Sequence, residues 1–132
     1  MTVNYLKEPD QQIYDEIYNR LLDNGIEVYD FLPNLDAKYP FVVMGETQLL
    51  PQATKSFLIG RVTISLHIWQ NNGDRRSVTE MIGSIRRELS TIEEIDGRAF
   101  IFDRQSTSQI FVDNSTDETL LHGVMDLEFK FV

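Results

Sequence analysis

The segment Arg61–Trp69 alternates apolar and polar side chains without interruption, and it constrains the fold more than any other part of the sequence. Every second residue from Val62 to Ile68 is aliphatic. Side chains of a β-strand point alternately to the two faces of a sheet, so the segment predicts a strand with one buried face. A chain built on such a strand needs a sheet and an apolar layer to cover one side of it.

The C-terminal residues Val124–Phe131 repeat this alternation and predict a second half-buried strand. Its apolar positions are Met125, Leu127, Phe129 and Phe131. Shorter apolar runs predict strands over Phe41–Gly45, Arg98–Asp103 and Gln109–Asp113. Between them, three polar and aperiodic stretches predict loops, which are Glu46–Ser56, Arg104–Ser108 and Asn114–Thr119.

Two segments follow helical spacing instead. Pro9–Asp23 begins with a proline, carries acidic residues near its start and is followed by Asn24-Gly25, which favours a helix stop. The second helix is predicted to begin at a capping box, Ser77–Glu80, and to end near Ser90–Ile92. Each helix has one apolar stripe, so each has one face to bury.

These elements predict an α+β fold, a mainly antiparallel β-sheet with two α-helices packed on one face. Residues 1–132 are expected to form a single domain, since a chain of 132 residues lies within the usual size of one domain. A content of 42% hydrophobic and 25% charged residues is typical of a globular protein.

The net charge of −9 argues against binding to nucleic-acid phosphates, because no local basic patch reverses its sign. The sequence contains no cysteine, which excludes disulfides and thiolate metal sites. No signal-peptide pattern and no long apolar run is present, so we expect a cytoplasmic protein that does not insert into a membrane.

Catalytic motifs are missing, and we expect neither an enzyme nor a cofactor-binding protein. The two histidines, His67 and His122, fall on predicted strands. If these strands pair, the rings and Asp126 form a conceivable metal site. The preferred interpretation is that both are surface histidines, because no ligand pair has metal-type spacing.

The polar side of the strand Arg61–Trp69 carries His67 and Trp69. An exposed tryptophan either packs under a loop or contacts another protein, since tryptophan is enriched in interfaces. Leu49 and Leu50, in the predicted loop Glu46–Ser56, are a further hint of a partner surface.

Five segments follow one another along the chain, Leu32-Pro33, Tyr39–Glu46, Arg61–Trp69, Val78–Leu89 and Leu121–Val124. Their order and spacing resemble the tail-completion, or tail-terminator, proteins of siphophages and prophages of Gram-positive bacteria. The resemblance extends from about Pro9 to Val132. It implies an α+β structural subunit without catalytic residues, which closes the head-proximal end of a tail tube and joins the tail to the head.

What the resemblance implies further is a ring, expected to be a hexamer, that contacts the tail tube protein and the head connector or stopper protein. DNA would pass through the ring without specific binding, helped by acidic residues at the lumen, for which Asp113, Asp117 and Glu118 are candidates. The protein would occur in the host cytoplasm during assembly and then at the head–tail junction of the virion. The candidate interface residues are Gln48, Leu49, Leu50, Gln52, Lys55, Phe57, His67, Trp69, Arg104, Gln109 and Phe111.

Two alternatives remain at this point. The chain is another small connector, minor tail or adaptor protein with a similar fold, or it is a small-molecule-binding or hydrolytic domain that uses the His67 side of the sheet. Tight and stoichiometric metal or ligand binding would favour the second alternative.

Overall fold

The computed structural model describes residues 7–33, 37–52 and 59–132. Within these ranges the chain forms two α-helices and seven β-strands. In chain order they are α1 (Pro9–Asp23), β1 (Val28–Tyr29), β2 (Phe41–Gln52), β3 (Ile59–Asn71), α2 (Arg75–Leu89), β4 (Glu94–Ile95), β5 (Arg98–Phe102), β6 (Thr107–Asp113) and β7 (Leu120–Phe131).

All seven strands belong to one sheet in the order β1-β2-β3-β7-β5-β4, and β6 pairs with β7 beside β5. The pair β1 and β2 is parallel, whereas the other pairs are antiparallel. β5 and β6 follow each other along the same edge of β7, β5 opposite Phe129–Phe131 and β6 opposite Leu120–Asp126. Four strands, β2, β3, β7 and β6, therefore form the body of the sheet.

Both helices lie on one face of this sheet, α1 against β2 and β3 and α2 against β3 and β7. The buried side chains form one hydrophobic cluster, which includes Ile13, Ile17 and Leu21 of α1. β3 contributes Val62 through Ile68 and β7 contributes Met125 through Phe131, at every second position. The fold class predicted from the sequence, α+β with two helices on one face of a mainly antiparallel sheet, is confirmed.

The predicted helix Pro9–Asp23 is confirmed with its bounds, and Gly25 after it has a positive φ of 75°. The alternation in Arg61–Trp69 is confirmed too, although β3 extends two residues further at each end. β7 begins at Leu120, four residues earlier than the alternation suggests.

The prediction of a loop over Glu46–Ser56 is wrong for Glu46–Gln52. The strand that begins at Phe41 continues through Gln52. The register shifts between Met44 and Thr47, and this irregularity interrupts the alternation that would reveal the strand. Pro51 is tolerated because this part of β2 pairs only with β3, among the described residues. Residues 53–56 lie outside the described ranges.

The capping box Ser77–Glu80 is also wrong. α2 begins at Arg75, and its N-cap is Asp74, whose carboxylate accepts a hydrogen bond from the backbone N–H of Ser77 at 3.3 Å. Aspartate and serine are both good N-caps. Because Asp74 and Ser77 lie only three residues apart, the sequence pattern alone does not distinguish between them. The segment Arg104–Ser108 is not a loop to its end, since β6 begins at Thr107.

No helix in the described ranges is long and apolar enough to cross a membrane.

Candidate functional site

The side of the sheet opposite the helices is not covered by either helix, and we call it the helix-free face. It presents the residues of β3 and β7 that alternate with the buried ones, together with their neighbours on β2 and β6. From one edge to the other they are Phe41, Val43, Gln48, Leu50, Thr63, Ser65, His67, Trp69, His122, Val124, Asp126, Glu128, Phe111 and Gln109.

One end of the helix-free face carries an aromatic cluster. The rings of Trp69 and His122 are stacked, with centroids 3.9 Å apart and planes 9° apart. Phe111 lies 6.2 Å from the same His122 ring, and Tyr39 stacks on Phe41 at 5.3 Å. The register explains the grouping, since Phe41, Trp69, His122 and Phe111 lie in one row across four strands.

The two histidines are neighbours, since Nδ1 of His67 lies 2.8 Å from Nε2 of His122. Burial lowers the pKa of His122, and the nearby His67 lowers it further, while Asp113 acts in the opposite direction. The Asp126 carboxylate instead accepts a hydrogen bond from Ser65 at 2.9 Å. Over the described ranges no group of three or more His, Asp or Glu side chains could hold a metal ion. The conceivable metal site therefore lacks its carboxylate.

A cleft of about 220 Å³ opens beside the aromatic cluster. Its walls include Tyr39, Phe41 and Trp69, together with Leu32 and Leu120. Leu32 is 65% exposed. The cleft is mostly apolar and widens the surface over which this end of the sheet can contact another molecule.

The centre of the helix-free face is polar. Asp103 and Glu128 are neighbours, since the backbone N–H of Asp103 donates a hydrogen bond to the backbone oxygen of Glu128 at 2.8 Å. The hydrogen bond from the backbone of Gln105 and then the one with Glu128 lower the pKa of Asp103, whereas burial and then the bond with Asp103 raise the pKa of Glu128. Arg61 lies 3.5 Å from Glu128 and balances part of this charge. The polar groups at the centre of this face therefore interact with one another rather than with the core.

Two strand edges are open over the described residues. β6 pairs with β7 on one side and has no strand on its other side. β2 pairs with β1 at Val42 and Val43 only, so from Met44 to Gln52 it has β3 as its one neighbour. We call these stretches the β6 edge (Thr107–Asp113) and the β2 edge (Met44–Gln52). An open edge presents unpaired backbone N–H and C=O groups, and it is a template for pairing with another chain.

The β6 edge is also apolar. Phe111 is 44% exposed and Val112 is 60% exposed, on opposite sides of the strand. Ile101 of the preceding β5 is 58% exposed. Large exposed apolar side chains along an open edge are a liability for a protein that remains alone in solution.

The candidate interface and lumen residues predicted from the sequence lie in several different parts of the structure. His67, Trp69, Gln109 and Phe111 lie on the helix-free face, and Gln48, Leu50 and Gln52 lie on the β2 edge. Arg104 is exposed in the turn between β5 and β6. Asp113 ends β6, and Asp117 and Glu118 are exposed in the connection to β7.

Leu49 requires a correction. It is not a free loop side chain, because it belongs to β2, points to the helix-covered side and packs against the hydrophobic core. Only the backbone of Leu49, which lies on the β2 edge, is therefore available for contact with another chain. Lys55 and Phe57 lie outside the described residues.

Sequence reasoning missed the aromatic partners of Trp69 and the pairing of Asp103 with Glu128. Tyr39 lies just before the predicted strand Phe41–Gly45 and Phe41 begins it, while His122 lies in a stretch without clear alternation. The register between β2, β3 and β7 would have revealed them, but register depends on contacts between residues far apart in the chain.

The sequence profile of the family described as "Tail completion protein gp17" matches residues 18–131 of this chain. The tail completion protein gp17 of Bacillus phage SPP1 is 29% identical over 116 residues, which cover 86% of this chain and 83% of the relative. The matched part of the chain includes the helix-free face and both open edges.

Two solved structures share the fold at 11% sequence identity. A chain from the virion of a native gene transfer agent particle superposes with a TM-score of 0.60, over 86% of this chain and 91% of the other. A second chain superposes with a TM-score of 0.56, over 95% of this chain and 97% of the other. At this identity the two likenesses show the fold alone.

Proposed function

The chain belongs to the family of gp17 tail completion proteins, structural proteins of the phage tail, and on this basis we propose that it closes the head-proximal end of the tail tube and joins the tail to the head connector. It is not an enzyme. The observation that carries this proposal is the open sheet, which over the described residues has one face without helices and two edges without a strand partner. Such a sheet is incomplete by itself and offers strand edges and one face to neighbours.

We propose that the assembled form is a ring, with six copies as the expected number. The two open edges differ in sequence and lie on opposite sides of the sheet, so an edge of one copy fits the other edge of the next. Contacts between two different surfaces are heterologous, and they generate closed rings when the rotation closes. Two identical edges would instead favour a two-fold dimer.

The partners of the ring are the tail tube protein on one side and the head connector or stopper protein on the other. The two ends of the sheet differ in character, which suits contacts with two different proteins. One end carries the aromatic cluster and its cleft, with Tyr39 and Trp69. The opposite end consists of the last residues of β2, which include the exposed Gln52, and the first residues of β3.

We propose that DNA passes through the ring without specific binding. The charge of −9 repels phosphates, and the candidate lumen acids Asp113, Asp117 and Glu118 lie in or beside the β6–β7 connection. A hydrogen bond with Ser115 lowers the pKa of Asp113, so its carboxylate remains charged at neutral pH. The protein would be made in the host cytoplasm and remain at the head–tail junction of the virion.

The proposal is tested by electron microscopy of tail tubes assembled with and without this protein. We expect a cap on the head-proximal end of each tube when the protein is present, and tubes that join heads only in its presence. A Phe111→Asp variant places a charge on the β6 edge and should reduce capping, whereas Asn19→Asp on the exposed side of α1 should not. Binding to another part of the tail, or to none, would contradict the proposal.

The lumen acids need a separate experiment. A combined Asp113→Asn, Asp117→Asn and Glu118→Gln variant should still cap tails, but particles that contain it should eject DNA more slowly. Unchanged ejection and infectivity would show that these three residues have no such role.

A further inference from the structure

A second groove lies on the helix-covered side of the sheet, beside the C-terminal end of α2 and along β5, and we call it the arginine groove. Its volume is about 760 Å³. α2 contributes Arg86 and Arg87 to its lining, and Arg104 follows β5. The apolar part of the lining includes Phe100, which belongs to the core, and Ile101, which is 58% exposed. The described lining residues belong to neither the β2 edge nor the β6 edge.

The three arginines of this groove have no carboxylate partner within the described residues. The ion pairs there involve Lys7, Arg20 and Arg61 instead. Glu93 is the one acidic side chain among the described residues that line the groove. The groove therefore keeps a local positive charge in a chain whose net charge is −9.

Arg86 is held in place by neutral hydrogen-bond acceptors. Its Nη1 donates to the backbone oxygen of Ser106 at 2.6 Å, and its Nη2 donates to Oγ of Ser108 at 3.1 Å. These bonds orient the guanidinium and leave its charge uncompensated, because neither acceptor is ionised. An arginine that is already ordered loses less conformational freedom when it binds a carboxylate. Arg87 and Arg104 are exposed and add two further donors of the same kind.

We propose that the arginine groove binds an acidic segment of another virion protein, in which carboxylates lie beside a large apolar side chain. The planar guanidinium matches the geometry of a carboxylate and can donate two parallel hydrogen bonds to it. The apolar lining next to the arginines accommodates the neighbouring side chain of the segment. This inference rests on the proposed function for the class of its partner, a protein that contacts this chain in the virion.

The chemistry of the groove favours a protein segment over DNA. Duplex DNA presents phosphates and sugars to a groove of this kind, and the net negative charge of the chain repels it. A protein segment satisfies both parts of the lining, because its carboxylates pair with arginine while an aliphatic or aromatic side chain covers Ile101 and Phe102. Complementary charges across a contact also orient the partner.

The position of the groove indicates which partner it contacts. β5 pairs with Phe129–Phe131 at the end of β7, where β3 begins. The aromatic cluster, with Trp69 and His122, lies at the opposite end of the sheet. The acidic segment is therefore expected in the protein that meets the first residues of β3, and not in the protein that meets the aromatic cluster.

Site-specific photo-cross-linking in assembled virions tests the identity of the partner. Ile101→p-benzoylphenylalanine introduces a photoreactive side chain and keeps the position apolar. After irradiation and digestion, mass spectrometry should identify a peptide of another virion protein, with aspartate or glutamate close to the cross-linked residue. Asn19→p-benzoylphenylalanine on the exposed side of α1 is the control and should not capture that peptide.

Charge reversal tests the role of the arginines. Arg87→Glu with Arg104→Glu, combined with the photoreactive residue at Ile101, places like charges opposite the acidic segment. The yield of the cross-link per incorporated copy should fall by about tenfold or more. Arg75→Glu with Arg76→Glu makes the same change of charge at exposed positions at the other end of α2, and it should leave the yield unchanged.

Salt dependence gives a second measurement, made with the captured protein after purification. Affinity of the unmodified chain for this protein should fall as salt is raised, because exposed ion pairs are screened. The variant with Arg87→Glu and Arg104→Glu should bind more weakly at low salt and respond less to added salt. If that variant does not assemble into virions, Arg104→Gln removes one charge from an exposed turn and should lower the yield of the cross-link severalfold.

Several results would overturn the inference. They are no capture at Ile101, capture of DNA or of a second copy of this chain, capture of a peptide without acidic residues, and a yield that survives the reversal of Arg87 and Arg104. If the unmodified chain still caps tail tubes, each of these results leaves the proposed function intact. If it does not cap them, the proposed function and this inference both fail.

Discussion

The two faces of the sheet are made by neighbouring residues of the same strands, yet they have different physical roles. On the helix-covered face, the side chains from Val62 to Ile68 and from Met125 to Phe131 are at most 1% exposed. On the helix-free face, the alternate residues from Thr63 to Trp69 and from His122 to Lys130 are half-buried or exposed, and some of them bond to one another. Burial of apolar area provides most of the stability of a fold, so one face stabilises the chain and the other is available for contacts.

The largest expected difference between the faces concerns Phe129 and Lys130, adjacent residues of β7. Phe129 is fully buried among the core residues, and Phe129→Ala should lower the free energy of unfolding by about 3–5 kcal/mol. Lys130→Ala on the other face should change it by no more than about 0.5 kcal/mol. Denaturant titration of both variants measures the difference. Similar losses from the two substitutions would break the distinction between the faces.

Gly45 is the position where the helix-free face is as constrained as the core. A Cβ atom there would lie 2.5 Å from the backbone oxygen of Ser65 and 3.0 Å from the ring of His67. The strand would have to move, so Gly45→Ala should cost about 1–3 kcal/mol. Thermal unfolding at a fixed pH measures this cost.

Gly83→Ala is the matched control for that substitution. Gly83 lies inside α2, and its new Cβ would meet only the flexible end of Arg87 at 3.2 Å. Alanine is the better helix former, so this variant should gain up to about 1 kcal/mol. If Gly45→Ala is as stable as the unmodified chain, the irregularity in β2 does not fix the position of the His67 ring.

The sequence predicted the helix-covered face well. Pro9 and Asn24-Gly25 indicated the bounds of α1, and alternation indicated the buried residues of β3 and β7, because these signals depend on local geometry. It failed on β2, where the register shift near Gly45 and the presence of Pro51 concealed a strand that continues to Gln52. It also chose Ser77 over Asp74 as the N-cap, since both residues satisfy the same chemistry.

The helix-free face could be predicted only in part. The alternation placed His67 and Trp69 on it, but their partners depend on the register between distant strands. The open edges are a property of strand order, which the sequence pattern does not contain. Contact surfaces are therefore harder to predict than cores, because no local period describes them.

The third prediction concerns pH and the His67–His122 pair. Burial and His67 hold the pKa of His122 below its usual value of 6.5, so the unfolded chain binds a proton more readily than the folded one. This contribution to stability is fully present above pH 6.5 and is lost as the pH falls from that value through the lower pKa of His122 in the folded chain. His122→Gln should remove this part of the pH dependence, measured by urea unfolding between pH 7 and pH 5.

NMR titration tests the cause directly. His67→Gln removes the second source of the low pKa, so the pKa of His122 should rise while burial still keeps it below its usual value. A pKa of His122 at or above 6.5 in the unmodified protein would contradict this explanation. The titration therefore separates the contribution of His67 to the low pKa of His122 from that of burial.

The smallest expected effect comes from Ser65, next to the fully buried Ile64 on β3. Ser65 donates an exposed hydrogen bond to Asp126 at 2.9 Å, and Ser65→Ala should cost about 0.5 kcal/mol or less, because water replaces the lost partner. Ile64→Val removes one methyl group from the core and should cost about 0.5–1.5 kcal/mol. Denaturant midpoints of the two variants give the comparison. A larger loss of unfolding free energy from Ser65→Ala than from Ile64→Val would mean that the helix-free face also stabilises the isolated subunit. Fewer residues of that face would then be free to vary for contact with a neighbour.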